Sequence, residues 1–161
     1  MARAYDIAAK VHRAYAWAGD IQIHYRRSGP PGARSPLLAL HPSSGASLDS
    51  FMSGMGADWT VIAPDLPGTG MSDSLRAGND AATTAEAMFE LIAALGLGVI
   101  DVLAIAEAGE VAVEMARQQP GVVRKIVLIG AAPPSGLLSQ PILSLESGAL
   151  APEAVRDFLD R

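Results

Sequence analysis

The sequence predicts an α/β fold, a mostly parallel sheet flanked by helices, with an antiparallel hairpin at the N-terminal end. Three observations predict it. Apolar runs at 37–40, 60–63, 100–105 and 125–129 do not alternate with polar residues, so both faces of each are buried, as in a parallel sheet covered by helices. Stretches with helical spacing lie between the later runs. Ahead of them, 21–25 alternates apolar and polar residues with period two, the signature of a half-buried antiparallel strand. A chain of 161 residues, half of them hydrophobic, makes one domain with a real core.

The elements follow in order. A first strand is expected over 11–17. Ala18-Gly19-Asp20 breaks it, and 21–25 returns as the second arm of the hairpin. Gly29-Pro30-Pro31-Gly32 reads as a loop because Pro and Gly punctuate it so densely. Met88, Leu91, Ile92 and Leu95 fall at i, i+3, i+4 and i+7, which predicts a helix before the run at 100–105. Val111, Met115 and Ala116 line one face of 107–118, a helix that must stop before Pro120. The segment 130–136 is too rich in Gly and Pro for regular structure. Pro152 then opens a short helix with Val155, Phe158 and Leu159 on one side. There is no internal repeat and no low-complexity segment.

Composition excludes several function classes. Net charge is −5, and Arg26-Arg27 and Arg124-Lys125 are the only adjacent basic pairs. A nucleic-acid partner needs a clustered basic face, so none is expected. With no cysteine there is no disulfide framework and no thiolate metal site. His12, His24 and His41 are far apart and show no ligand spacing, and nothing in the sequence names a cofactor or a metal. The N-terminal stretch has no continuous apolar segment, and no apolar run approaches ~20 residues. The expectation is a cytoplasmic protein without a membrane partner.

Four landmarks, in order and plausibly spaced, resemble the N-terminal half of the α/β-hydrolase family. Leu37-Leu38-Ala39-Leu40-His41-Pro42 resembles the strand that ends in the His-Gly of the oxyanion loop. Pro64-Asp65-Leu66-Pro67-Gly68-Thr69-Gly70-Met71-Ser72-Asp73 is close to the family's P-D-x-x-G-x-G-x-S-D segment, the most specific of the four. Leu95-Gly96-Leu97 leads without gaps through Ile100 into 102–109, where the family carries its G-x-S-x-G nucleophile elbow. Residues 122–129 match the strand after the elbow helix. The resemblance covers about 13–134. It implies domain boundaries of 1–134 for the α/β-hydrolase-like core and 135–161 for the start of a cap-like helical segment.

The departures from the pattern carry the functional reading. Ala104, Ala106 and Ala108 stand in the elbow slots, so Ala106 places a methyl group where the family has its serine. The triad order is Ser, then Asp or Glu, then His, and the resemblance places the last two beyond Arg161. It implies a small, mostly apolar pocket and a hydrolase of a small ester, amide or other carbonyl substrate. This chain lacks the Ser nucleophile and the acid and His of the triad. Two alternatives stay open. One is a non-catalytic pseudoenzyme that binds a ligand or partner; the other is a cofactor-free lyase or isomerase with Glu107 or His41 as base.

The resemblance assigns the remaining candidates. His41 braces the oxyanion loop or acts as a base. The N–H groups of Ser43 and Glu107 are the expected oxyanion donors. Ser43 and Ser44 either bind a ligand or cap a helix from Ala46 onward, which is the commoner use of such residues. Glu107, Glu110 and Glu114 share one side of the elbow helix, as a solvated face or as a cation-binding one. Asp65 is expected to form a turn and Asp73 to end its loop. A sheet cut after its sixth strand would leave an apolar edge. A longer protein, a complementary second half, or self-association into an oligomer would each cover it.

Overall fold

The computed structural model describes residues 10–30, 32, 34–56, 58–136, 138–148 and 150–161. The stretch 1–9, read above as free of an apolar leader, and Pro31 of the Gly-Pro loop lie outside them. The first arm of the hairpin is β1 (Val11–Ala18) and the second is β2 (Ile21–Ser28). Ala18 pairs with Ile21, so Gly19-Asp20 is a two-residue loop. Gly19 has φ +62° there, the left-handed backbone such turns require. The second arm runs past the alternating stretch because Tyr25 to Ser28 also pair with β4 (Val61–Pro64).

The inner strands are β3 (Leu37–Leu40), β4, β5 (Ile100–Ile105) and β6 (Val123–Ile129). The helices are α1 (Asp49–Met55), α2 (Ala81–Ala94) and α3 (Ala108–Gln118). Strand order is β1-β2-β4-β3-β5-β6-β7, where β7 is Ile142–Leu145. From β4 onward the neighbours run parallel. The apolar runs are continuous because successive residues serve opposite layers. Leu38, Leu40, Val102, Ala104 and Leu128 pack with Met88, Leu91 and Met115 of α2 and α3. Leu37, Ala39, Leu103, Val127 and Ile129 pack with Phe51, Met52 and Met55 of α1.

The closing segment differs from expectation. The sheet is not cut after its sixth strand. Residues 142–145 form β7, parallel to β6, with Ile126 opposite Ile142 and Ile129 opposite Leu145. The crossover is only 130–141, tied to α3 by Arg117, which donates to the Ser135 carbonyl (2.7 Å). Gln140 donates to the Pro120 carbonyl (3.1 Å). The physical reason is burial. Leu143 and Leu145 continue the layer that α1 covers, and Val155 and Leu159 of α4 (Pro152–Asp160) seal it at 0% and 1% exposure.

α4 is fastened at its middle and at its C-terminal end. Arg156 donates to the carbonyls of Gly54 (2.7 Å) and Met55 (3.3 Å), the unpaired end of α1. Lys125 donates to Phe158 and Leu159 carbonyls (3.0 and 3.2 Å), and Arg124 to Leu159 (3.1 Å). These cations sit where a helix C-terminus attracts positive charge. Gly54 permits the approach, since a Cβ there would lie 2.7 Å from Pro152 Cγ. Arg124 also grips Asp101 through two bonds of 2.8 and 2.6 Å. Burial pushes the Asp101 carboxyl up from its ordinary value, and the Arg124 bonds pull back against it. No helix among the described residues is long and apolar enough to cross a membrane.

Candidate functional site

Sheet order places the site. The chain leaves β3 for β4 on one side of it and returns with β5 on the other. Strand ends part at such a reversal, and ligands bind in the crevice there. The loops after β3 and β5 therefore face each other across it, carrying His41 to Gly45 and Ala106 to Gly109.

The β5–α3 turn is sharp. Ala106 has φ +50°, the left-handed region, where no other non-glycine described residue is found. An L residue is strained there. Backbone bonds hold it: Ala106 N–H donates to Ile129 O (2.9 Å), and Gly109 N–H to Ala106 O (3.0 Å). Ala104 is fully buried in β5, in register with Leu40 and Leu128. Ala108 opens α3 and is 2% exposed. Alanine fits both slots. The position that admits no Cβ is Gly109, where one would lie 2.7 Å from Ala131 Cβ.

Glu107 caps α3 with its backbone only; its side chain makes no capping bond and is exposed. Its N–H has no acceptor among the described residues. A cleft of about 540 Å³ opens beside the apex, lined by Ala106, Glu107, Glu110, Glu114, Arg117 and 130–135. A smaller recess of about 300 Å³ lies on the other side of Glu107, between Pro42, Leu66, Thr69 and Val111. The cleft is lined mostly by small apolar residues, with its charged ones gathered on the α3 side. Glu107 and Glu110 are exposed, and Glu114 pairs with Arg117 at 3.1 Å. These carboxylates form a solvated face. Arg117 was not among the sequence candidates. Its signal was the spacing Glu114-x-x-Arg117, which lets the two meet on a helix.

Across the crevice, Asp65 holds two loops together. It is 1% exposed. Its Oδ1 accepts from Gly45 N–H (2.8 Å) and the Ser44 hydroxyl (3.1 Å). Its Oδ2 accepts from Met71 N–H (3.0 Å) and His24 Nδ1 (2.9 Å). Burial pushes this carboxyl up, but the bonds from Met71, Gly45, His24 and Ser44 outweigh it, so the pKa lies below its ordinary value. No Cβ fits at Gly45, 2.7 Å from Ala63 O, or at Gly70, against the Asp65 carboxylate. Ser44 also accepts from Ala46 N–H (3.2 Å), capping the 3-10 turn Gly45–Leu48 ahead of α1. Its hydroxyl is thus committed to the loop. Asp73 closes the second loop by accepting from Gln22 N–H (2.8 Å).

His41 ends β3 and bridges Asp65 in the parallel register. Its Nδ1 accepts the Ser43 N–H at 3.1 Å, and the Ser43 hydroxyl lies 3.0 Å from the same nitrogen. An amide can only donate, so Nδ1 carries no proton and the neutral ring holds its proton on Nε2. Burial lowers the His41 pKa and favours that neutral form. In this conformation the ring's one lone pair is taken up by the Ser43 amide. The same bond occupies the Ser43 amide.

Residues 36–150 match the family model for the alpha/beta hydrolase fold. The chain belongs to the α/β-hydrolase family. Rv2715 of Mycobacterium tuberculosis, an uncharacterized protein, is 37% identical over 73 residues, 45% of this chain and 21% of that one. Cfl2 from Burkholderia cenocepacia superposes with a TM-score of 0.71 at 22% identity, over 81% of this chain and 47% of Cfl2. The epoxide hydrolase CorEH gives 0.66 at 28% identity, over 77% and 44%. The chain thus spans about a fifth of the curated relatives' length and under half of these solved structures.

Proposed function

We propose that this α/β-hydrolase chain binds a small carbonyl-containing ligand at the β3–β5 crevice without covalent turnover of its own. The observation that carries the reading is the methyl side chain of Ala106 at the apex of the left-handed turn. A hydrolase of this family attacks from that apex, and a methyl group cannot. The N–H groups of Ser43 and Glu107 form the cradle for the ligand's oxygen. Any hydrolysis of an ester or amide depends on groups outside this chain. The lyase reading loses support at His41, whose free nitrogen already carries its proton, and at Glu107, which faces solvent.

Two measurements test this. A fluorophosphonate serine probe leaves the chain unlabelled, and Ala106→Ser gives no turnover of p-nitrophenyl butyrate. Titration of isotope-labelled protein with butyramide moves the Ser43 and Glu107 amide resonances. Labelling at any serine, or amide shifts confined to other loops, sinks the proposal.

A further inference from the structure

The cradle is half closed in this structure, because the Ser43 amide already donates to His41 Nδ1. That contact spans only two residues, so it forms by a local turn and opens without moving a strand. We infer that His41 gates the cradle: the neutral imidazole holds the Ser43 amide, and protonation at Nδ1 releases it to an anionic ligand. The inference rests on the cradle proposed above and adds the control of it.

The gate has simple chemistry. Protonation converts Nδ1 from acceptor to donor. The Ser43 N–H then faces another N–H and must turn away, while the Ser43 hydroxyl can stay as acceptor 3.0 Å away. Ser43 is exposed, so its own side chain meets no packing that would resist the turn. The charged ring adds a cation beside the freed amide, and the Glu107 amide across the crevice has no competing acceptor among the described residues. The resulting pocket favours a carboxylate, sulfonate or phosphonate over a neutral amide.

The titratable neighbours set the balance. Just after β4, Asp65 stands beside His41 in the bridge, but its carboxylate is taken up by His24, Ser44, Gly45 and Met71, with the Arg26 guanidinium of β2 3.9 Å away. At the head of α3, Glu107 and Glu110 line the recess that Pro42 also lines. The 3-10 turn Gly45–Leu48 brings no ionisable group, and Asp101 of β5 lies at the far end of that strand. Burial of the ring holds the gate closed near neutrality.

The test uses the isotope-labelled full chain and methanesulfonate, an anion that stays ionised throughout. As pH falls from about 8 through the lowered His41 pKa, the ring nitrogens titrate, and the Ser43 amide resonance moves with the same midpoint and loses exchange protection. Methanesulfonate binds about tenfold tighter at the acid end, the scale of one charge-assisted hydrogen bond. His41→Asn keeps an uncharged acceptor for the amide, so the Ser43 resonance stays put across the range. His41→Phe removes the acceptor and leaves the amide released at both ends. Were either variant to misfold, the other alone still separates a held amide from a free one. A Ser43 amide that ignores His41 titration overturns the gate and leaves the cradle standing. Amide coupling as expected, with methanesulfonate moving neither Ser43 nor Glu107, overturns the cradle and with it the gate's purpose.

Discussion

The two sides of the crevice are built on different principles. On the β3–β4 side, one buried carboxylate fastens the 43–45 and 65–73 loops, accepting from two amides, a hydroxyl and an imidazole. On the β5–α3 side the turn has no polar side-chain tie among the described residues. Backbone bonds to Ile129 and Gly109 hold it, with small residues packed below. The first side depends on one side chain. The second makes its sharp left-handed turn with alanines at 104, 106 and 108, and such a shape by itself does not decide chemistry.

The largest test of this contrast is Asp65→Ala. It strands the buried His24 and two loop amides, and a loss of about 3–5 kcal/mol in urea unfolding is expected. A loss under about 1 kcal/mol would put the two sides on an equal footing. The same carboxylate predicts acid sensitivity. Its folded pKa is held below the ordinary value of about 3.9, so its stabilisation is full above that value and drains away as pH falls through the folded one. Asp65→Asn should flatten that acid limb.

Next in size is Gly109→Ala, which brings a Cβ within 2.7 Å of the Ala131 Cβ. A cost of about 1–3 kcal/mol is expected. Ala131→Gly in the same chain should recover most of it, a coupling that a double-mutant cycle reads directly. Ala106→Gly goes the other way. Glycine accepts φ +50° without strain but is freer when unfolded, leaving a net gain of under about 1 kcal/mol. A loss of stability there would mean that the Ala106 methyl packs rather than strains. The smallest effect belongs to His41. Its folded pKa lies below the ordinary histidine value of about 6.5, so stability declines as pH falls below that value toward the folded one. His41→Asn should remove this shallow slope from the urea midpoints.

Legibility in the sequence divided along the same line. The inner strands and α2 and α3 were readable because burial on both faces leaves unbroken apolar runs and helical spacing. The Asp65 segment was readable as a motif, although its four bonds were not, since three of the donors come from 24 to 45. β7 was harder. Ile142-Leu143-Ser144-Leu145 is only four residues long, interrupted by Ser144, and half-exposed at a sheet edge. The bond between Ser43 and His41 left no trace in the pattern, because histidine as a two-residue turn acceptor has no distinctive spacing signal.

The fastening of α1 by Arg156 has a consequence for how this chain is made. The guanidinium that satisfies the Gly54 and Met55 carbonyls lies 102 and 101 positions further along. A ribosome adding about 5–20 residues per second therefore exposes α1 for roughly 5–20 seconds before its final contact can emerge. During that interval Phe51, Met52 and Met55 have only part of their eventual cover. The nascent polypeptide is thus open to chaperone capture from the emergence of α1 until Arg156 follows it, and slowing elongation over the codons for residues 60–150 should lengthen that window.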